Sequence, residues 1–378
     1  MRWTLVSGDF VPTGGMDRGN LELARYLALT GDAVELVTHR ADVALAALPG
    51  VMVRTVHRPF GSDFLGGWPL SRAGTGAGRE TAEAGGRVLV NGGNCPHPDA
   101  TWLHYVHAAY RPEVRTSWVR RLKARVEHPF DLRAERRTVR GARIAICNSE
   151  RTRRDAIERL GADPGRTAVV YYGTDPERFR PADAVERTVL RSRLGWPADR
   201  PVLVFVGALG DRRKGFDTLF DAWTSLARTP DWDATLMVVG SGVERSLWER
   251  RVAEAAFGDR VRFLGFRSDV PDLLRAADAM VAPTRYEAYG LGVREALCCG
   301  IPAIVSAEAG VAEHYPPALA DLLLADPESS AELADRLRHW CADLDGFAAR
   351  VRPLSDSLRS RTWADMARDI CTAILAAP

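Results

Sequence analysis

An α/β architecture of two doubly wound domains is predicted for this 378-residue chain, on three observations. The length exceeds what one ordinary core supports. Short apolar runs rich in β-formers alternate with stretches of helical period along nearly the whole sequence, which is the pattern of parallel sheets covered on both faces. That series pauses once, at the proline- and charge-rich stretch 181–200, and then begins again.

The first series places strands at 3–7, 33–38, 51–56, 87–90, 101–106, 143–147 and 167–171, and the second at 201–206, 234–239, 260–264, 279–282 and 303–305. Between the first two strands, 17–29 carries Leu21, Ala24 and Leu27 or Ala28 on one face, which predicts a helix. The Gly/Ala-rich piece 73–86 reads as a flexible loop. A last helix over about 361–375 follows the second series and is expected to pack back on the first domain. The domains are therefore 1–181, with 361–378 returning to it, and 182–360. Ligands of such sheets bind beyond the carboxyl ends of the strands, here in the cleft between domains.

Composition narrows the class. Hydrophobic residues at 46% and charged residues at 26% suit a soluble globular protein, and a net charge of +2 points to no nucleic acid. The only lysines are Lys123 and Lys214, the other basic residues being arginine. No apolar run reaches the roughly 18 residues a membrane span needs. The N-terminus meets Asp9 too soon for a secretory core. The six cysteines show no paired spacing and read as buried hydrophobes in a reducing cytoplasm. Stretch 111–143 holds eleven basic and four acidic residues, either a solvated face or a peripheral contact with an anionic membrane or acceptor.

Chemistry concentrates in Pro283-Thr284-Arg285-Tyr286-Glu287-Ala288-Tyr289-Gly290-Leu291-Gly292-Val293-Arg294-Glu295-Ala296-Leu297-Cys298-Cys299-Gly300-Ile301-Pro302. A strand leads into a turn and then a helix from about 291 to 299, closed by Gly300 and Pro302. A glycine at the helix start lets an anion approach its N–H groups at the positive end of the dipole. Glu287 in the loop and Glu295 on the helix can face a ligand seated there; on spacing alone they are as readily two solvated glutamates. A second group, Phe205-Val206-Gly207-Ala208-Leu209-Gly210-Asp211-Arg212-Arg213-Lys214-Gly215, follows the first strand of the second series. The commoner fate of such a basic run is helix capping. Gly14-Gly15 occupies the turn before the first helix and permits close approach of a phosphate or sugar.

The string from Glu287 to Pro302 resembles the E-x7-E signature of family-4 retaining glycosyltransferases, with Tyr289 at a position usually Phe. The Lys214 turn resembles that family's phosphate turn, although Ala208 stands where Arg is frequent. Val239-Gly240-Ser241-Gly242 resembles its turn under the nucleobase; Arg245 replaces the third glycine of a dinucleotide fingerprint. Tyr172 to Pro181 and Cys147-Asn148-Ser149 resemble its crossover segment and a helix start, where Asn148 or Ser149 would be the N-cap.

The resemblance implies the GT-B fold and transfer of a hexose from a nucleotide-diphosphate sugar, UDP- or GDP-linked, to a hydroxyl of a glycan, lipid-linked or small-molecule acceptor. It implies no cofactor and no metal. Asp231-Trp232-Asp233 and Asp343-Leu344-Asp345 have the letters of a metal motif, but one precedes a strand and the other lies in a helical stretch. By the same resemblance Lys214 and Arg213, with Arg212 the lesser candidate, neutralise the diphosphate, Glu287 binds hydroxyls of the sugar, and Glu295 binds the ribose diol. Gly14, Gly15, Gly207, Gly240, Tyr289, Gly290 and Leu291 line the donor, with Gly15 preferred in the first glycine loop. His104 and His107 close the strand at 101–106, and His107, nearer its carboxyl end, would face the transferred sugar. Asn91-Gly92-Gly93-Asn94 ends the preceding strand and could touch the acceptor. The alternatives are a nucleotide-sugar epimerase of the same fold and a catalytically silent donor-binding partner. A pyridoxal-phosphate phosphorylase fits poorly, because Lys214 belongs to the phosphate turn and Lys123 to the basic stretch.

Overall fold

The computed structural model describes residues 1–111, 113, 118–210, 212–255 and 257–378, with 118–126 in secondary structure alone. Asp211, most of 112–117 and the Lys123 side chain thus lie outside the described residues. The chain forms two compact units, one from Met1–Arg111, Leu122–Gly173 and Thr362–Pro378, the other built on Thr174–Arg361.

The first unit holds seven parallel strands: β1 (Arg2–Val6), β2 (Ala33–Thr38), β3 (Val51–Thr55), β4 (Arg87–Asn91), β5 (Ala100–Leu103), β6 (Ile144–Cys147) and β7 (Thr167–Val169). Their order is β3-β2-β1-β4-β5-β6-β7. Leu5 of β1 lies between Leu36 and Leu89 in register. The second unit repeats the scheme with β8 (Val202–Val206), β9 (Thr235–Val239), β10 (Val261–Gly265), β11 (Ala279–Ala282), β12 (Ala303–Ser306) and β13 (Leu323–Leu324), ordered β10-β9-β8-β11-β12-β13. In each sheet the order reverses once, at β1/β4 and at β8/β11, and ligands of open parallel sheets collect at that reversal. Every strand expected from sequence is present, with ends moved by three residues at most. The two-residue β13 and the short ladder of Asp9–Phe10 with Arg40–Ala41 carry too little pattern to be read beforehand.

Two sequence expectations are corrected. Stretch 73–86 is mostly helix, not loop. After α1 (Gly15–Leu29) and β3, α2 runs over Asp63–Glu83 and buries Gly66, Leu70, Gly74, Ala77, Gly78 and Thr81. That is helical spacing with small residues on the inner face. A methyl group at Gly74 would stand 2.8 Å from Val6 Cγ1, and one at Gly78 would stand 2.7 Å from His97 Cδ2. Glycine lets the helix lie close to its neighbours, so composition that suggests looseness here reflects tight packing.

The stretch 181–200 is not a bare separator either. Beyond α3 (Trp118–Gly141), it carries α4 (Ala184–Leu194), capped by Asp183 and ended by Gly195 in left-handed conformation. Leu190 joins the apolar core of the second unit, and Arg191 Nε donates to the Ala276 carbonyl at 2.9 Å.

The chain ends in α8 (Trp363–Ala376), following α5 (Phe216–Leu226), α6 (Leu291–Cys298) and α7 (Leu344–Arg359). A reciprocal Thr362/Asp365 capping box starts α8, which packs on α1 within the first unit. Arg18 stacks 5.6 Å over the Trp363 ring, and Arg143 Nη2 donates to the Ile374 carbonyl at 2.9 Å. Among the described residues no helix is long and apolar enough to cross a membrane.

The seating of α2 is testable by calorimetry. A methyl group at Gly76 meets nothing within 4 Å, so Gly76→Ala should stabilise by about 0.5–1 kcal/mol. Gly74→Leu overpacks the sheet contact and should destabilise by about 1–3 kcal/mol. Equal effects at both positions would contradict this packing.

Candidate functional site

In the second unit, the loops after β9, β8 and β11 meet at the carboxyl edge of the sheet, on both sides of the strand reversal. Backbone contact sets their spacing. The Gly207 N–H donates to the Val239 carbonyl at 3.0 Å. Gly240, at φ 133°, has no room for a side chain, since a Cβ would fall 2.0 Å from the Gly207 carbonyl oxygen. Gly215, at φ 70°, caps α5, and a Cβ there would fall 1.8 Å from the Pro283 carbonyl oxygen. The Arg285 N–H closes the same junction on the Arg213 carbonyl at 2.9 Å. The basic turn is thereby fastened to the loop that carries Glu287.

The Arg-Arg-Lys run divides its work. Arg212 Nε donates to Asp217 at 2.8 Å and Arg212 Nη2 to Glu328 at 2.8 Å. Arg285 holds the same two carboxylates, Asp217 at 2.7 Å and Glu328 at 2.7 Å. Burial works against the Asp217 charge, but the Arg285 and Arg212 guanidiniums hold its carboxyl below the usual range. Hydrogen bonding from Arg285 does the same to Glu328. This four-charge lattice clamps the turn, so Arg212 is structural. Lys214 and Arg213 turn the other way: Lys214 Nζ lies 2.5 Å from Glu287 Oε2, and Arg213 Nη1 lies 3.9 Å from the same oxygen and donates to the Tyr286 carbonyl at 3.3 Å. All three side chains are partly exposed.

Beyond Glu287 the chain enters α6 through Gly290, its N-cap at φ 107°. The first N–H groups of α6 have no partner from within the helix, which makes this end receptive to an anion. Leu291 and Gly292 occupy that end, and Glu295, the fifth residue of α6, is partly exposed. Tyr289 is buried: its hydroxyl takes Arg294 Nη1 at 3.1 Å and lies 3.3 Å from His314 Nε2. Its side chain ties the loop to the helix and presents no polar atom outward. Burial, with the charges of Arg294 and Arg361, lowers the His314 pKa to about 4, so that ring is neutral.

Sequence reasoning passed over Arg294. It is fully buried, and its Nη2 donates to the Leu358 carbonyl near the end of α7 at 2.6 Å. It joins three parts: the Glu287 loop, α6 and the last turn of α7. An arginine on the apolar face of a short helix was the available signal.

The two metal-like motifs have structural uses. Asp343 caps α7 through the Gly346 N–H at 3.0 Å, and Asp233 pairs with Arg200.

In the first unit, Gly14 (φ 83°) is the N-cap of α1 and Gly15 its first residue, at the carboxyl side of β1. Asp17 in the first turn is pushed up to about 6 by burial and by the charge of Asp9. Asp9 itself is held low by Arg40 and Arg58 against the cost of burial. β5 ends at Leu103, so both histidines lie beyond the strand. His104 is buried and bonded to the Tyr172 hydroxyl, and burial lowers its pKa to about 3. His107 opens a short 3-10 turn, and its side chain is 43% exposed. Ser149, rather than Asn148, is the N-cap, accepting from Thr152 N at 2.9 Å. Asn148 instead donates to the His104 carbonyl at 3.2 Å.

Two family descriptions match the chain: glycosyl transferases group 1 over residues 200–343 and glycosyltransferase family 4 over residues 13–178. The D-inositol 3-phosphate glycosyltransferase of Xylanimonas cellulosilytica is 30% identical over 366 residues, covering 85% of this chain and 86% of that protein. The fold is similar to that of WaaG, a glycosyltransferase involved in lipopolysaccharide biosynthesis, with a TM-score of 0.78 and 21% identity over 100% of both chains. It is also similar to that of Anabaena Alr3699/HepE in complex with UDP-glucose, with a TM-score of 0.76 and 21% identity over 100% of both chains. The architecture is GT-B.

The Gly215 junction is open to a stability test. Gly215→Ala combines a left-handed backbone with a clash against a carbonyl, and should cost about 2 kcal/mol or more, seen as a Tm several degrees lower. Gly210→Ala, where a methyl group meets nothing within 4 Å, should leave Tm nearly unchanged.

Proposed function

The chain belongs to the family-4, group 1 glycosyltransferases, and from that premise we propose metal-independent transfer of a hexose from a UDP- or GDP-sugar, with retention at the anomeric carbon, to a hydroxyl of a glycan, lipid-linked or small-molecule acceptor. The Lys214–Glu287 pair, 2.5 Å apart beside the N-terminus of α6, carries the reading. Two cations and a helix N-terminus surround one carboxylate, which leaves excess positive potential where a diphosphate would sit. On binding, the phosphate oxygens replace Glu287 as partner of Lys214. Glu287 is then available to accept hydrogen bonds from the sugar, so one exchange couples diphosphate binding to sugar binding. Glu295, further along α6, is assigned to the ribose diol.

In the transfer itself the bond from the anomeric carbon to the diphosphate oxygen breaks and a bond from that carbon to the acceptor oxygen forms on the same face. The acceptor proton passes to the departing phosphate oxygen. The charge that grows on that oxygen meets Lys214, Arg213 and the backbone N–H groups of α6, placed beforehand; such fixed groups are usually the largest catalytic term. No protein nucleophile is required.

Lys214→Ala and Glu287→Ala should each lose at least about a hundredfold in transfer, or ~3 kcal/mol of transition-state stabilisation. Near-normal turnover by either folded variant would sink the assignment. Thermal-shift screening of UDP, GDP, ADP and dTDP with their sugars should identify the base, and the product's anomeric coupling in NMR tests retention. Turnover unchanged after chelator treatment is the result expected for the metal-free step.

A second reading concerns the acceptor side. Phe60 (98% exposed), Trp68 (70%) and Phe130 (54%) stand out on the first unit with Phe64 and Leu65, and the Phe64 and Phe130 rings lie 5.7 Å apart. Arg72 lies 5.8 Å over the Trp68 ring. Exposed aromatics beside arginines favour docking on an anionic lipid surface. Sedimentation with phosphatidylglycerol vesicles should show salt-sensitive binding that Phe60→Ser/Trp68→Ser loses; absence of binding by the unaltered protein removes this reading.

A further inference from the structure

We propose that Glu135 is the positioning residue for His107: its carboxylate, buried on α3, holds the backbone N–H and ring Nδ1 and so turns Nε2 outward as the group offered to the ligand. The inference rests on the reading of His107 as the sugar-facing residue of the first unit.

The geometry is a two-point clasp. Glu135 Oε2 accepts the His107 backbone N–H at 3.1 Å, and Oε1 lies 3.2 Å from His107 Nδ1. One carboxylate therefore holds both the main chain and the ring of one residue. Its side chain is 2% exposed while that of His107 is 43% exposed, so the anion sits inside and the ring reaches outward. With Nδ1 turned to the carboxylate, Nε2 is the nitrogen left for solvent or ligand. A buried carboxylate is stable only when hydrogen-bonded and paired with positive charge, and the imidazolium supplies both.

The fold places Glu135 deliberately close. A Cβ at Gly93 would stand 2.8 Å from Glu135 N and 3.0 Å from the Ala134 carbonyl carbon. Only glycine at that position lets α3 lie against the loop after β4. Thr138, one turn on, donates to the Cys95 carbonyl at 3.3 Å and fastens the same face. The Asn91-Gly92-Gly93-Asn94 motif thus gains a use separate from acceptor contact: it seats the helix that carries Glu135.

The surrounding charges agree. Burial disfavours the His107 cation, but the hydrogen bond and charge of Glu135, helped by Asp131, raise its pKa above the ordinary imidazole value. His128 on α3 is lowered by burial and by the His107 charge, with Arg111 adding to the effect, and Asp131 is raised by burial. The Tyr105 ring packs edge-on 5.0 Å from His107. A raised histidine pKa contributes stability that is present at low pH and lost as pH rises through the folded-state pKa. His104, neutral and buried against Tyr172, cannot supply such a cation.

The test combines titration with kinetics on the full chain. In NMR, His107 should titrate above the ordinary value of about 6.5, and Glu135→Gln should bring it down by about one unit or more. Glu135→Gln should lower kcat about tenfold with little change in donor KM, and move the alkaline limb of the pH profile downward. Glu135→Asp, which keeps the charge, should recover part of both effects. His107→Asn should match the loss, and the double variant should be no worse than either single. An unshifted His107 titration in folded Glu135→Gln, or multiplied losses in the double variant, overturns the proposal. A shifted titration with full activity of His107→Asn sustains the pairing and overturns the sugar-facing reading of His107.

Discussion

The backbone contact between Gly215 and the Pro283 carbonyl is the constraint on which the second unit's site depends. β8 and β11 are neighbours at the strand reversal, so their loops leave the same edge of the sheet. The Arg285 N–H on the Arg213 carbonyl closes the same junction from the other side. With it, Lys214 Nζ comes within 2.5 Å of a carboxylate seventy-three positions along the chain. The left-handed backbone there requires glycine, and the Arg212–Asp217–Arg285–Glu328 lattice braces the turn from outside. That lattice explains why three consecutive basic residues are not equivalent. Guanidiniums bound by two carboxylates brace the turn; the groups that face Glu287 are held there by what is braced.

The charge balance at Glu287 follows from the same geometry. A lone lysine beside a helix N-terminus would repel its surroundings whenever the anion is absent. Glu287 screens that potential, and both side chains keep an edge to solvent, 20% and 16% exposed. A pair that solvent reaches can be exchanged for an incoming anion. The arrangement suits a site that must remain folded when empty and become strongly electropositive once its carboxylate is drawn to a different partner.

Much of this was legible in the sequence because the signals were local. Strand runs such as Ile144–Cys147 are buried on both faces and read as continuous apolar segments. The turn glycines at 14, 215 and 290 have positive φ, as turn chemistry demands. What was missed was non-local. Composition suggests a loop over 73–86 because the inner face of α2 there is glycine and alanine, and only the sheet it touches reveals why. The division between Arg212 and Arg213 depends on Asp217 and Glu328, and the role of Arg294 depends on the carbonyl of Leu358. None of these is a motif.

The histidines carry the point furthest. His104 and His107 are three positions apart, both just beyond the same strand, and composition treats them alike. Their partners separate them. His104 turns inward to a tyrosine hydroxyl and loses its charge to desolvation. His107 turns outward with a carboxylate behind it, and that carboxylate is in reach only because Gly93 lets a helix approach. A residue's capacity for chemistry is thus set by a glycine fourteen positions before it, through a helix twenty-eight positions after it. Such a three-body dependence has no signature in spacing, since any two of the three would look ordinary alone. The same logic holds at Lys214, where a glycine, a carbonyl and a distant carboxylate together turn one basic residue of a run into a directed charge.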